Sequence, residues 1–144
     1  MPWIQNVSSV DLQLGHHIRI DPGNSVLIQI CDPLQEFPQS LHGFTYIHQF
    51  YFLDAEESCG VAEEFKIADA QAKSIASILR TALEKKADVV VQCGAGRCRS
   101  GAVVEIGVML GFQDAEAYRQ PNLLVKKKLL AEVCGLKPTD NLTT

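Results

Sequence analysis

The chain has 144 residues, 47% of them hydrophobic, a formal net charge of -4 and a pI near 5.5. That length and apolar content allow one buried core. The acidic balance excludes the broad basic surface of a nucleic-acid binder, and no apolar run approaches the ~20 residues of a membrane span.

No basic segment leading into an apolar stretch opens the chain, and its five cysteines, an odd number, include no CxxC pair. These features predict a soluble, cytoplasmic protein with reduced thiols and no zinc site of the cysteine type. Cys31 and Cys134 lie in apolar stretches and are expected as small buried hydrophobes, and Trp3 as a core plug. No repeat or linker divides residues 1–144, so one domain is expected, with a polar tail over about 137–144.

In chain order, a strand is expected near Ile4–Val10 and another near Ile18–Ile20. Val26–Ile30 is a short apolar run closed by Cys31-Asp32-Pro33, and Tyr46–Leu53 is aromatic and β-branched; both read as strands. From Ala62 to about Lys86 the apolar residues Phe65, Ala68, Ala72, Ile75, Ala76, Leu79, Ala82 and Leu83 recur at three- and four-residue steps, the pattern of an amphipathic helix. Asp88–Gln92 is Val-rich, as in a buried central strand. Ser100–Leu110 is apolar almost all round, which predicts a helix packed mid-domain. Pro121 and Asn122 introduce a last helix, with Asn122 as N-cap and a core face of Leu123, Leu124, Leu129, Leu130 and Val133.

Strand, helix, strand, helix implies parallel pairing. The expected fold is α/β, a small, mostly parallel central sheet of four to five strands flanked by helices. Such a topology puts the loops after Leu53 and after Gln92 at one carboxyl edge, where open α/β sheets bind ligands, so Asp54 and Cys93 can face one site.

The segment Cys93-Gly94-Ala95-Gly96-Arg97-Cys98-Arg99-Ser100 joins the buried strand to the buried helix. Two glycines and an alanine let the backbone curl so that its N–H groups point inward, a concave anion nest reinforced by the helix dipole. Arg99 can grip two oxygens of a phosphate with its planar fork. The same field favours thiolate over thiol at Cys93, and Ser100 can donate a hydrogen bond to that sulfur. Chance would produce Cys-x2-Gly-x2-Arg-[Ser/Thr] in such a chain on the order of 0.001 times.

Val89–Val104 resembles the signature of the cysteine-dependent protein tyrosine and dual-specificity phosphatase superfamily. Phe52-Leu53-Asp54, the helix with Ala70-Gln71-Ala72, and Pro121-Asn122-Leu123-Leu124-Val125 are similar to its compact bacterial and phage-type members. The resemblance implies a protein tyrosine phosphatase-like fold and a two-step phosphomonoester hydrolysis that uses neither metal nor cofactor. It implies Cys93 as nucleophile, the loop residues Gly94, Ala95, Gly96, Arg97 and Cys98 with Arg99 as phosphate binders, and Ser100 as assistant. Asp54 is the candidate acid, ahead of Glu56, Glu57, Glu63 and Asp69. Substrates would be phosphorylated proteins or small phosphomonoesters, with neither nucleic acid nor membrane as partner.

Gln92 stands where the family usually has histidine; it retains the capacity to bond a backbone carbonyl. Arg97 adds a second positive charge, but Gly94 lacks the companion that a strongly anionic lipid or inositol phosphate would need. Cys98 can be read as a space-filling side chain or as a disulfide partner for oxidised Cys93. Glu105, in an apolar helix, either bonds toward the loop or reaches solvent. His16, His17, His42 and His48 lack metal-ligand spacing. Two other readings stay open: a phosphate-binding pseudophosphatase, and another cysteine-loop enzyme such as a sulfurtransferase or arsenate reductase.

Overall fold

The computed structural model describes residues 1–135; the expected polar tail lies outside the described residues. Five strands form one all-parallel sheet: β1 (Trp3–Ser8), β2 (Ser25–Cys31), β3 (Tyr46–Tyr51), β4 (Asp88–Cys93) and the short β5 (Gln113–Asp114), in the order β3-β2-β4-β1-β5. The Val-rich β4 is the central strand, matched Ile4↔Val89 to β1 on one side and Ile28↔Val91 to β2 on the other. With neighbours on both edges and cores on both faces, it has no solvent side, and its apolar run needs no alternation.

Among the described residues four α-helices flank the sheet: α1 (Ser9–Leu14), α2 (Asp69–Glu84), α3 (Arg99–Leu110) and α4 (Leu123–Cys134). The larger core unites Ile28, Ile30, Val89 and Val91 of the sheet with Ile75 and Leu79 of α2, Val103 and Ile106 of α3, and Val125 and Leu129 of α4. Val7, Leu12, Ile20, Leu27 and Val90 form a smaller core around α1. Burying an aliphatic side chain contributes about 1.5–3 kcal/mol, so these two clusters hold the sheet's carboxyl edge in place. Gly107 lets α3 lie against β1; a Cβ there would run into Ile4 Cδ1 and stand 3.6 Å from Phe112 Cδ2.

Several expectations need correction. Ile18–Ile20 is not a strand: β1 already has β4 and β5 as neighbours, and Arg19 N–H is taken by Gln5 Oε1 at 3.0 Å. Ile20 still buries its side chain in the smaller core. The long helix starts at Asp69 rather than Ala62, because Phe65 C=O, which helix would need, accepts from Leu53 N–H at 2.7 Å; Glu63–Phe65 is a 3-10 turn instead. Leu123, 68% exposed, leaves the core face to Leu124, Val125 and Leu129. Trp3 is 43% exposed and Cys134 is exposed, so neither packs inside as expected.

Candidate active site

β4 ends at Cys93 and α3 begins at Arg99, leaving five residues to turn the chain. Gly96 makes that turn possible, with φ +72°, a left-handed conformation that costs any other residue steric overlap. A Cβ on Gly96 would also press into the main chain of β1, 2.5 Å from Val7 C and 2.8 Å from Ser8 Cα. The loop therefore lies directly on the end of β1. Asn6 of β1, itself buried, donates through Nδ2 to Gly96 C=O at 2.7 Å and to Tyr118 C=O at 2.8 Å. Ser9 N–H adds a bond to Gly94 C=O at 3.1 Å.

The outer side of the loop is held by residues 115–122. Gln120 N–H donates to Arg97 C=O at 3.0 Å, and Asn122 N–H to Cys98 C=O at 2.9 Å. Arg119 fixes this segment by pairing with Asp114 at 2.7 Å and Glu105 at 2.8 Å. Its hydrogen bonds hold the Asp114 carboxyl below the usual range and raise the guanidinium's own pKa further. Glu105 thus bonds neither to the loop nor to solvent alone; it anchors the strap over α3. Gly101 gives Arg119 room, since a Cβ there would stand 2.9 Å from Arg119 Cβ.

Cys93 lies at the floor of the loop, 2% exposed, with its Sγ 3.1 Å from Ser100 Oγ. Arg99 is 7% exposed, and the two edges of its guanidinium differ in their surroundings. Nη1 donates to Asp32 Oδ1 at 2.7 Å and Phe52 C=O at 2.8 Å. Nε is buried with no partner, and Nη2 lies by Gly94, where an added Cβ would sit 3.7 Å away. One edge of the guanidinium is thus committed to the ends of β2 and β3, and the other faces the loop. Arg97 is exposed at the rim.

Asp54 is exposed and accepts from Asn122 Nδ2 at 2.7 Å. The Cys98 thiol has its pKa pushed up by burial and then by the nearby Asp54 carboxylate. Cys98 is therefore held as a thiol, the less reactive form. The rival acids are engaged elsewhere: Glu56 with Leu123 N–H and Leu124 N–H, Glu57 with Lys127, Glu63 with Lys66, and Asp69 with Lys128.

Gln92 is fully buried and bonds side chains rather than a backbone carbonyl: its Nε2 donates to Ser9 Oγ at 3.0 Å and its Oε1 accepts from Gln29 Nε2 at 3.2 Å. Gln49 Nε2 in turn donates to Gln29 Oε1 at 2.9 Å. A row of amides thus crosses β3, β2 and β4 beneath the loop. Burial pushes the neighbouring Cys31 thiol up, partly offset by its hydrogen bond to Gln92.

Sequence reasoning did not find Asp32, Asn6 or Asn122's side-chain link to Asp54 as parts of the site. Asp32 was visible only as a strand terminator, and Asn122 only as a helix cap, which it also is, accepting from Val125 N–H at 3.0 Å. Their bonds span 67, 90 and 68 residues, separations that carry no local pattern.

No family model matches this chain, and no curated protein matches it in sequence. Among solved structures it is similar to human DUSP28, at 15% sequence identity with a TM-score of 0.56, over 94% of each chain. The chain has the fold of that dual-specificity phosphatase.

Proposed function

We propose that the chain is a phosphomonoester hydrolase of the protein tyrosine and dual-specificity type, with Cys93 as nucleophile. The observation that carries this reading is the division of Arg99. Its Nη1 is satisfied by Asp32 and Phe52, while its Nε is buried and unpartnered beside the cysteine loop. A buried donor without an acceptor costs about 1–3 kcal/mol, and an oxyanion bound in the loop would supply the missing acceptor. The likeness in fold to human DUSP28 supports the same class of substrate, phosphorylated protein or small phosphomonoester.

On this reading the reaction has two steps. The Cys93 thiolate attacks phosphorus; a P–S bond forms as the P–O bond to the leaving group breaks. Asp54 passes its proton to the departing oxygen, which keeps the bonding pair. Amides of residues 94–99 and the free edge of Arg99 hold the three remaining oxygens as charge builds on them. Water then attacks the phosphocysteine, giving a proton to the Asp54 carboxylate. The P–S pair returns to sulfur, eased by the Ser100 hydroxyl 3.1 Å away.

Hydrolysis of an aryl phosphate in the presence of EDTA, wild type against Cys93→Ser, tests the reading. Turnover that depends on Cys93 supports it. Phosphate binding without turnover would replace it with a pseudophosphatase, and thiosulfate or arsenate activity with another cysteine-loop enzyme.

A further inference from the structure

The loop that carries Asp54 is fastened to the start of α4 by a second carboxylate. Glu56 presents Oε2 to Leu123 N–H and Oε1 to Leu124 N–H, each at 2.9 Å. The first turn of any helix leaves amide hydrogens without intrahelical partners, and the helix dipole makes that end attractive to an anion. Asn122 takes a third of these hydrogens, that of Val125, with its Oδ1. Its Nδ2 points the other way, to Asp54 Oδ1 at 2.7 Å and Ala55 C=O at 3.2 Å. Asn122 N–H also bonds Cys98 C=O at 2.9 Å, which ties the helix start to the cysteine loop. The acid, the helix end and the nucleophile's loop therefore meet in one bonded cluster, with Glu56 two residues beyond Asp54.

The segment has other holds: buried Lys66 donates through Nζ to Glu57 C=O at 2.9 Å. Lys127 meets Glu57 at 3.1 Å with both side chains well exposed, an arrangement that contributes little. At the far end, Leu53 N–H is fixed to Phe65 C=O at 2.7 Å. Glu56 attaches the loop to the first turn of α4, next to Asn122, the partner of Asp54.

We propose that Glu56 is a positioning residue for the general acid: by capping α4 it holds the loop of residues 53–57 so that Asp54 stands over the cysteine loop before substrate arrives. This inference rests on the phosphatase reading above. Both Glu56 oxygens are turned to the helix, so it acts through Asp54 and does not touch substrate.

The test is the dependence of kcat/KM on the leaving group, measured with phenyl phosphate and 2,4-dinitrophenyl phosphate. The first needs a proton on its departing oxygen; the second leaves readily without one. In Glu56→Ala, phenyl phosphate should lose about 10- to 100-fold, the scale of one charge-assisted hydrogen bond, and dinitrophenyl phosphate less than about threefold. Glu56→Gln keeps an acceptor oxygen and should recover part of the loss. Asp54→Asn with Glu56→Ala should be no slower than Asp54→Asn alone. Equal losses on both substrates, or additive losses in the double variant, would overturn the role of Glu56 while leaving Cys93 chemistry intact. If Glu56→Ala does not fold, Glu56→Gln carries the same comparison, and an unchanged leaving-group dependence in it overturns the proposal. Absence of Cys93-dependent turnover in wild type would instead remove the phosphatase reading, and this inference with it.

Discussion

Gly96→Ala is the sharpest probe of how the cysteine loop is built, because two independent penalties coincide there. The backbone has φ +72°, which costs an alanine about 1–2 kcal/mol. The new Cβ would also stand 2.5 Å from Val7 C and 2.8 Å from Ser8 Cα, main-chain atoms of a paired strand that cannot rotate aside as a side chain would. Relieving such an overlap costs about 1–3 kcal/mol. The sum, about 2–5 kcal/mol, is a large share of a typical domain stability of roughly 5–15 kcal/mol. It corresponds to a fall in Tm of about 6–15 °C for a chain of this size. Gly94→Ala is the paired control: its only near neighbour is Arg99 Nη2 at 3.7 Å, an ordinary contact, and φ there is not positive. That substitution should leave stability unchanged or raise it by up to about 1 kcal/mol. Urea unfolding of both variants measures the difference, with vanadate binding as a readout of loop shape. Equal midpoints for Gly96→Ala and wild type, or equal losses in the two variants, would refute the claim that β1 forms the bed of the loop.

Two further outcomes follow from bonds around the same loop. Asn6→Ala removes two donors from buried or half-buried carbonyls, those of Gly96 and Tyr118, and should cost about 2–4 kcal/mol in urea unfolding together with a drop in kcat/KM; a purely local effect on stability with full turnover would contradict the bracing role. Asp114 has its folded-state pKa depressed below the ordinary 3.8 by Arg119, so its pairing stabilises the protein above that pH and the contribution is lost as pH falls through the folded value. The stability gap between wild type and Asp114→Asn should be on the order of 1 kcal/mol near pH 7 and close in strong acid; a gap that widens on acidification would show the sign to be wrong.

What could be read in advance divides along physical lines. β4, the cysteine loop and α3 form one continuous stretch in which apolar run, glycine spacing and helical period are all local, and that stretch has the expected secondary structure. α1 has six residues and β5 two, too few for any period to stand out. Ile18–Ile20 looks strand-like because its isoleucines serve the smaller core, and only the occupied edges of β1 show that no place in the sheet remained. Leu123 is apolar yet exposed, because it lies on the outer side of the turn whose Leu124 and Val125 enter the core. Asp32 as the partner of Arg99 depends on how the end of β2 abuts α3, a property of the assembled sheet.

The placement of β1 also bears on how the protein is made. Among the described residues β1 pairs with β4, some 85 residues downstream, and with β5, still further along, as the bond from Trp3 N–H to Asp88 Oδ1 illustrates for the first. At synthesis rates of roughly 5–20 residues per second, Ile4 and Val7 leave the ribosome about 4–17 s before the strand that will cover them. Until β4 has been made, the nascent chain carries β1 without its central partner. The bed on which the cysteine loop rests therefore forms only after β4 has been made.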